Sequence, residues 1–496
     1  MGYQDLRGFL NLLEGKNELV HIKEPVDWDI EIGSISQESI KRGGQAFICE
    51  NIKDHKDTIC KRLTMNYMGN WKRLALAMGM PETTSSGDMV REWRKRHRQL
   101  IKPVVVDSGP CKENIVMEKD VDLFQFPVPK LHPGDGGRYA LTWHIVVTQD
   151  PETDWMNVGT YRGMLLDEKN IGMLLVHVQN WGLHAAKYRE RNMKMPVSVA
   201  LGVDPITTMI SGTPYPAGVN EYDVIGAVRG EPVRLVKCET NDLLVPANAE
   251  IVMEGELDLD PSSFRLEGPF GEYPGYYSSI DSTPKPVFNV KCITYRNDPI
   301  YTSGLIGIGP DLRAADLDYF SAITFSAITW DQLDINRVPG IQDVWFDEDV
   351  YGTNVFVSID KKYYGHAKQV AFAIWSPLSA HYIGKYVVVV DSDIDIHNPK
   401  KVWAAIANRT DPLKDIIIIP HTAGGPLDPS VHPDIKMRTG KLGIWNRVLI
   451  DATWDDTWEP RPEWGGLNHP PSCLSSEREL QLVREKWKLY GFSELM

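Results

Sequence analysis

The sequence predicts an α/β protein of 496 residues whose three folded parts are joined by one linker helix. Three observations predict it. Residues up to about 120 mix helix-spaced and strand-like segments. From about 140 to 300, short strand-like runs crowd between turn residues, as in a β-barrel or sandwich. Further on, continuous aliphatic runs alternate with helical patterns, the signature of a sheet covered on both faces. The boundaries drawn from these changes are an α+β N-terminal region (1–120), a β-rich domain (121–315), a linker helix (316–335) and a C-terminal α/β domain (336–496).

In chain order, Leu6, Phe9, Leu10, Leu12 and Leu13 share a helical face, and Val20–Pro25 reads as a strand ended by proline. Residues 70–101 are helical but interrupted, and carry the basic run Arg91, Arg94, Lys95, Arg96, Arg98. That run fits a solvated helix face, a contact to a phosphate-bearing substrate, or a contact to a partner subunit. Strands are expected at Trp143–Thr148, Met173–Val178, Val197–Leu201, Val233–Lys237, Glu250–Gly255 and Val287–Tyr295. Leu317–Leu333 follows as a helix. The α/β region then offers Val355–Ile359, a helix from about 365, Tyr386–Val390, a helix from Pro399, Ile416–Ile419 and a closing helix over Val483–Phe492.

Composition narrows the function. A net charge of −14 argues against a general nucleic-acid surface. No apolar run is long enough to span a membrane, and no signal peptide opens the chain. Six scattered cysteines without a Cys-x-x-Cys fit free thiols in a reducing cytoplasm. Zinc spacings, a nucleophile elbow and a P-loop are missing from the sequence, and Gly307-Ile308-Gly309 runs into Pro310 without the third glycine of a nucleotide fingerprint.

The most informative segment is Arg265–Tyr276, where Glu267 and Glu272 flank Gly-Pro-Phe-Gly. In a plain strand their odd spacing would send them to opposite faces. The glycines and proline favour a bend, which could aim both carboxylates into one cavity. Buried acids need a cation, a metal or a proton-transfer role. The segment also fits a hairpin with two solvated acids. Asn157 and Arg162 lie on a glycine-containing stretch that could serve a phosphate or carboxylate, or form a surface turn. The Gly/Pro-rich loop Ser211–Asp223 leads to Glu221, which could help hold a hard cation such as Mg²⁺ or Mn²⁺, or be a plain loop.

Taken in order, these pieces resemble the UbiD family of prenylated-flavin-dependent decarboxylases over nearly the whole chain. The resemblance rests on Asp5–Leu10, Val20–Pro25, His132–Tyr139, Asn157–Arg162, Lys237–Pro246 and Glu267–Glu272. It implies a split-barrel-like flavin-binding domain and a C-terminal α/β domain that drives assembly into a homo-oligomer, dimer or hexamer. Arg162, Glu267 and Glu272 match the family's catalytic residues. Asn157 and Glu221 match ligands of the divalent metal, Mn²⁺ or similar, that holds the cofactor phosphate. The loop at Ser211 and Thr213 matches part of a K⁺ site. Thr160, Tyr161, Gln179 and Asn180 complete the expected cofactor contacts. Where the family carries a histidine as third metal ligand, this chain has Gln179 and Asn180, with His177 and His184 nearby; Asn180 is the ligand expected here.

The implied reaction is reversible, non-oxidative decarboxylation of an aromatic or α,β-unsaturated acid using prenylated FMN supplied by a flavin prenyltransferase. Glu272 is the expected proton donor, positioned by Arg162 and Glu267. Carboxylation, and decarboxylation of an aryl-CoA acid in anaerobic aromatic degradation, are variants of this reading. A conventional flavin oxidoreductase and a non-catalytic subunit of a larger carboxylase are its rivals.

Overall fold

The structure, a computed structural model, describes residues 1–277, 279–306, 315–376, 383–425, 427–432, 434–435 and 443–493. The Gly307–Pro310 stretch therefore lies outside the described residues.

The centre is a nine-stranded sheet. Its strands run Tyr139–Leu141, Gly163–Leu165, Asn170–Met173, Val287–Tyr295, Ile251–Asp258, Met195–Leu201, His144–Gln149 and Met156–Gly159, with Asn114–Met117 also pairing Val287–Tyr295. Every pairing is antiparallel. Both faces are buried, and alternation divides the side chains between two cores. Val197, Val199 and Leu201 enter one, whereas Ala200, Ile145 and Val147 enter the other.

The opening region forms a four-stranded sheet of Leu19–Ile22, Ala46–Cys49, Arg62–Met65 and Ile300–Thr302. Two strands thus cross the boundary drawn from sequence: Asn114–Met117 joins the large sheet and Ile300–Thr302 returns to the small one. The helix Leu6–Gly15 starts where Asp5 accepts from the Gly8 amide at 2.8 Å, and it buries Leu6, Phe9, Leu10 and Leu13. All six cysteines are free, and only Cys473 is exposed. No described helix is long and apolar enough to cross a membrane.

One expected strand is a correction. The strand over Met173–Val178 ends at Met173, and the chain turns into the helix Asn180–Glu190. Closing this turn needs a glycine, since a Cβ on Gly182 would sit 2.4 Å from the Val176 carbonyl oxygen.

The helix Asp316–Ile335 is buried on nearly every side, as its all-round apolar composition requires. It packs against the strand Ile341–Phe346 and the helix Ser86–His97. After it, five strands run in the order Ile341–Phe346, Asn354–Ile359, Tyr386–Asp391, Gly443–Ala452, Ile416–Gly424. The helices His366–Trp375 and Pro399–Arg409 pack on this sheet. The closing helix runs over Glu477–Glu485 instead of Val483–Phe492, followed by the short 3₁₀ turn Trp487–Tyr490, and it leaves Leu480, Leu482 and Val483 exposed.

The basic run is spent inside the molecule. Arg94 Nε donates to Asp331 at 2.8 Å, His97 Nε2 lies 2.6 Å from the same carboxylate, and Arg98 binds both Asp331 and Asp334. Arg94 also lies 4.1 Å over the Trp330 ring. This cluster clamps the helix Ser86–His97 to the linker helix.

Burial pushes the Asp331 carboxyl up, but hydrogen bonds from His97, Arg98 and Arg94 outweigh it and bring the group down to about 2. An acid depressed on folding contributes stability above its unfolded pKa and loses it as pH falls through the folded value. Asp331→Asn should therefore cost about 2 kcal/mol at pH 7. The difference should fade between about pH 4 and pH 2. Urea unfolding of both proteins checks this, and equal midpoints at pH 7 would remove the clamp from the account.

Candidate active site

The strand Arg265–Glu267 pairs with Thr283–Lys285 and then leaves its line. Gly268 takes φ +100°, a conformation that favours glycine, and a cis peptide joins it to Pro269. The chain folds back through a bridge between Gly271 and Tyr277. The bend brings Glu267 and Glu272 to the same side, 1% and 4% exposed.

Arg162, between the strands Met156–Gly159 and Gly163–Leu165, sits between the two acids. Its Nε donates to Glu267 Oε1 at 3.0 Å, its Nη2 to Glu267 Oε2 at 3.1 Å, and its Nη1 to Glu272 Oε1. The guanidinium also lies 5.0 Å from the centre of the Phe270 ring. Burial disfavours its charge, but the Glu272 and Glu267 carboxylates more than restore it, so Arg162 is held charged. With both acids ionised the cluster carries one uncompensated negative charge; a proton on one carboxyl removes it. The solvated-hairpin reading of Arg265–Tyr276 is thereby set aside.

The segment His132–Tyr139 forms a shelf under this bend. The Gly136 amide donates to the Pro269 carbonyl at 2.8 Å, and the Gly271 amide to Asp135 Oδ1 at 2.9 Å. The Gly134 amide donates to the Tyr277 hydroxyl at 2.9 Å. Tyr139 donates to Glu267 Oε1 at 2.8 Å and has the Pro269 carbonyl at 3.0 Å. A Cβ on Gly136 would lie 1.8 Å from the Gly268 carbonyl oxygen, so only glycine permits this approach. Asp135 and Tyr139 were not among the residues singled out for the site. They belong to the His-Pro-Gly-Asp-Gly-Gly-Arg-Tyr stretch, whose glycines were the available signal.

The second half of the site lies just before Arg162, along the strand Met156–Gly159. Asn157 is buried on Met156–Gly159, and its Nδ2 donates to the Tyr161 hydroxyl at 3.1 Å. The next amide, Val158, donates to Glu221 Oε2 at 3.0 Å. Glu221 and Asn180 are the first residues of the helices Glu221–Arg229 and Asn180–Glu190. Burial pushes the Glu221 carboxyl up to about 8, and bonds from the Val158 and Glu221 amides and from Asn180 offset only part of this. The Asn180 amide also donates to the Tyr215 carbonyl at 3.2 Å.

Tyr161 stacks on Trp181 at 4.1 Å. Thr160 Oγ1 lies 2.8 Å from Ser211 Oγ, and Thr213 donates to the Met209 carbonyl at 2.7 Å. Gln179 caps its helix without a side-chain capping bond. His177 is exposed. His184 is buried against Trp155 with Nδ1 2.9 Å from Thr148 Oγ1.

Among the described residues, no group of three or more His, Cys, Asp or Glu side chains is arranged to hold a metal. The set here is instead two amides and one carboxylate, which suits a hard divalent cation. A carboxylate whose ionisation burial opposes is also a place where a cation is favoured. The two helix N-termini beside it present amide groups and positive dipole ends to an anion such as phosphate. These residues fit a metal-bridged phosphate.

Three domains of the 3-octaprenyl-4-hydroxybenzoate carboxy-lyase family, UbiD, match the chain. The N-terminal domain matches residues 10–93, the Rift-related domain 102–309 and the C-terminal domain 318–446. A phenolic acid decarboxylase of Sedimentibacter hydroxybenzoicus is 32% identical over 483 residues, 95% of either chain. The vanillic acid decarboxylase structure from the same organism, in its closed form, superposes with a TM-score of 0.86 at 32% identity, covering 99% of each chain. HmfF, a UbiD-class enzyme of Pelotomaculum thermopropionicum solved with FMN, gives 0.82 at 27% identity, covering 99% of this chain and 100% of its own. An evolved dimeric form of HmfF was solved with prFMN. The fold class expected from sequence is the fold of these proteins.

Removing the Arg162 charge should expose the balance of the site. Arg162→Met leaves two buried carboxylates without their cation, a change worth roughly 3–5 kcal/mol. Each acid's folded pKa would then be raised, so stability is retained below its unfolded pKa and lost as pH rises through the folded value. Urea unfolding should show a large loss at pH 8 that shrinks toward pH 5. Equal losses at the two pH values would show that the acids do not depend on Arg162.

Proposed function

This chain belongs to the UbiD family of carboxy-lyases, and we propose that it catalyses the reversible, non-oxidative decarboxylation of an aromatic acid using prenylated FMN. The observation that carries this reading is the buried Arg162–Glu267–Glu272 cluster, which is one proton short of neutrality. Such a cluster has room for one exchangeable proton.

In this reading the Glu272 carboxyl delivers its proton to the carbon from which CO₂ has left. Arg162 and Glu267 hold it at that point. In the carboxylating direction Glu272 accepts the proton of the C–H bond instead. When bound, prenylated FMN supplies the electron sink for the departing carboxyl group, which no side chain provides. Asn157, Asn180 and Glu221 would hold a divalent cation, Mn²⁺ or similar, against the flavin phosphate. Thr160, Tyr161 and Gln179 border that site, and the loop carrying Ser211 and Thr213 would hold K⁺. A flavin prenyltransferase would supply the cofactor.

The phenolic and vanillic acid decarboxylases among the relatives support a phenolic substrate. The engagement of Arg94, Arg98 and Arg91 with Asp331, Asp334 and Asp343 favours a free acid over a phosphate-bearing thioester. The assembled triad weighs against a non-catalytic subunit. The exposed Leu480, Leu482 and Val483 support a homo-oligomer, dimer or hexamer.

Protein loaded with the prenylated flavin should release CO₂ from a hydroxybenzoate and exchange ring hydrogen for deuterium in D₂O. Glu272→Gln should lower both by ~10²–10⁴-fold while keeping the flavin. Activity confined to saturated aliphatic acids, or near-normal turnover by the variant, would overturn the assignment.

Asn157→Ala and Glu221→Ala should each lower flavin absorbance and Mn²⁺ content together after gel filtration. Retention of both by both variants would remove the metal-bridged phosphate from the account.

A further inference from the structure

Tyr139 is fully buried at the start of the strand Tyr139–Leu141, with its ring 4.3 Å from that of Phe270. Its hydroxyl is 2.8 Å from Glu267 Oε1 and 3.0 Å from the Pro269 carbonyl. A phenol has one proton to donate, and the carbonyl can only accept. An ionised Glu267 draws that proton, because a hydrogen bond to a carboxylate is the stronger of the two. If Glu267 is itself protonated, it can donate to the phenol oxygen, and the phenol can turn to Pro269. The hydroxyl therefore responds to the charge of one member of the acid pair.

We propose that Tyr139 is a positioning residue that, with Arg162, keeps Glu267 as the ionised member of the pair and so leaves the exchangeable proton on Glu272. This rests on the reading of the cluster as a proton donor. Arg162 gives Glu267 two N–H groups. The phenol adds a third donor to Glu267. Besides Glu267, Arg162 and Asp135 are the charged groups whose fields reach Tyr139, and Asp135 accepts from the Gly271 and His132 amides with His132 Nδ1 at 3.2 Å. Burial and the neighbouring Glu267 push the Tyr139 phenol up, so it stays protonated across the working range. Tyr139 touches Glu267 through a single polar atom, so the ring and its packing are separable from the hydrogen bond.

Tyr139→Phe keeps the ring and removes the donor. Carboxyl titration followed by infrared difference spectroscopy on the substrate-free protein should show the Glu267 band move to higher pH, because the carboxylate has lost a donor. The band is assigned by its loss in Glu267→Gln. In the loaded enzyme, kcat for ring hydrogen exchange should fall about tenfold with KM nearly unchanged, and the profile should shift to higher pH. Replacing Tyr139 with 3-fluorotyrosine, a stronger donor, should move the band in the opposite direction. An unmoved band in both variants, or a rate loss uniform across pH, overturns the proposal. Titration shifts in the variants, with a wild-type protein that releases no CO₂ from any aromatic acid, would support the proposal on Tyr139 and defeat the reaction assigned to the site.

Discussion

The Arg162 guanidinium is the interaction on which the rest of the site depends. Three of its nitrogens are committed, Nε and Nη2 to Glu267 and Nη1 to Glu272. A lysine, with one compact ammonium, could not hold two carboxylates at fixed directions in this way. Neither acid would be ionised this far from water without that cation. The bend at Gly268, the shelf of His132–Tyr139 and the corner that carries Arg162 all keep three charges in register.

One short stretch of chain joins the two halves of the site. The Val158 amide, next to Asn157, reaches Glu221 at a helix start, and Arg162 faces the acids. Five residues can span at most about 18 Å, so this stretch limits the distance between the end suited to phosphate and the end suited to proton transfer. The partner strand of Met156–Gly159, His144–Gln149, is paired on its other side by Met195–Leu201 and has core on both faces. The Asn157 end of the stretch is therefore carried by a paired strand.

Much of this was legible in the sequence because it is local. Strand alternation located Val287–Tyr295, and an all-round apolar pattern located the linker helix. Glycine and proline between two acids marked the bend. What was missed is long-range or disguised. The helix Asn180–Glu190 buries Trp181, His184, Ala185 and Tyr188 at helical spacing. A histidine and an alanine in the middle blur that stripe, while the preceding Met173-Leu-Leu-Val176 reads as a strand. The basic run was legible as charge, but its acids, Asp331 and Asp334, lie more than two hundred residues away. The shelf was visible only as a motif, because every contact it makes to the bend is non-local.

A buried arginine with two glutamates is a poor way to stabilise a protein, since hydrophobic residues of similar volume often do as well or better. Its persistence in an otherwise well-packed chain points to chemistry. The proposed reaction gives the arrangement a further logic. Before reaction the site would hold Arg162 charged, Glu267 ionised, Glu272 protonated and a substrate carboxylate, for a net charge of about −1 by simple counting. Once CO₂ has left and Glu272 has given up its proton, the product is neutral and both glutamates are ionised, so the total is unchanged. Charge moves from the substrate carboxylate to Glu272 without any change in the total buried charge. In a low-dielectric site, where an added charge is expensive, conserving that total keeps the two sides of the reaction close in energy, as a reversible decarboxylase requires.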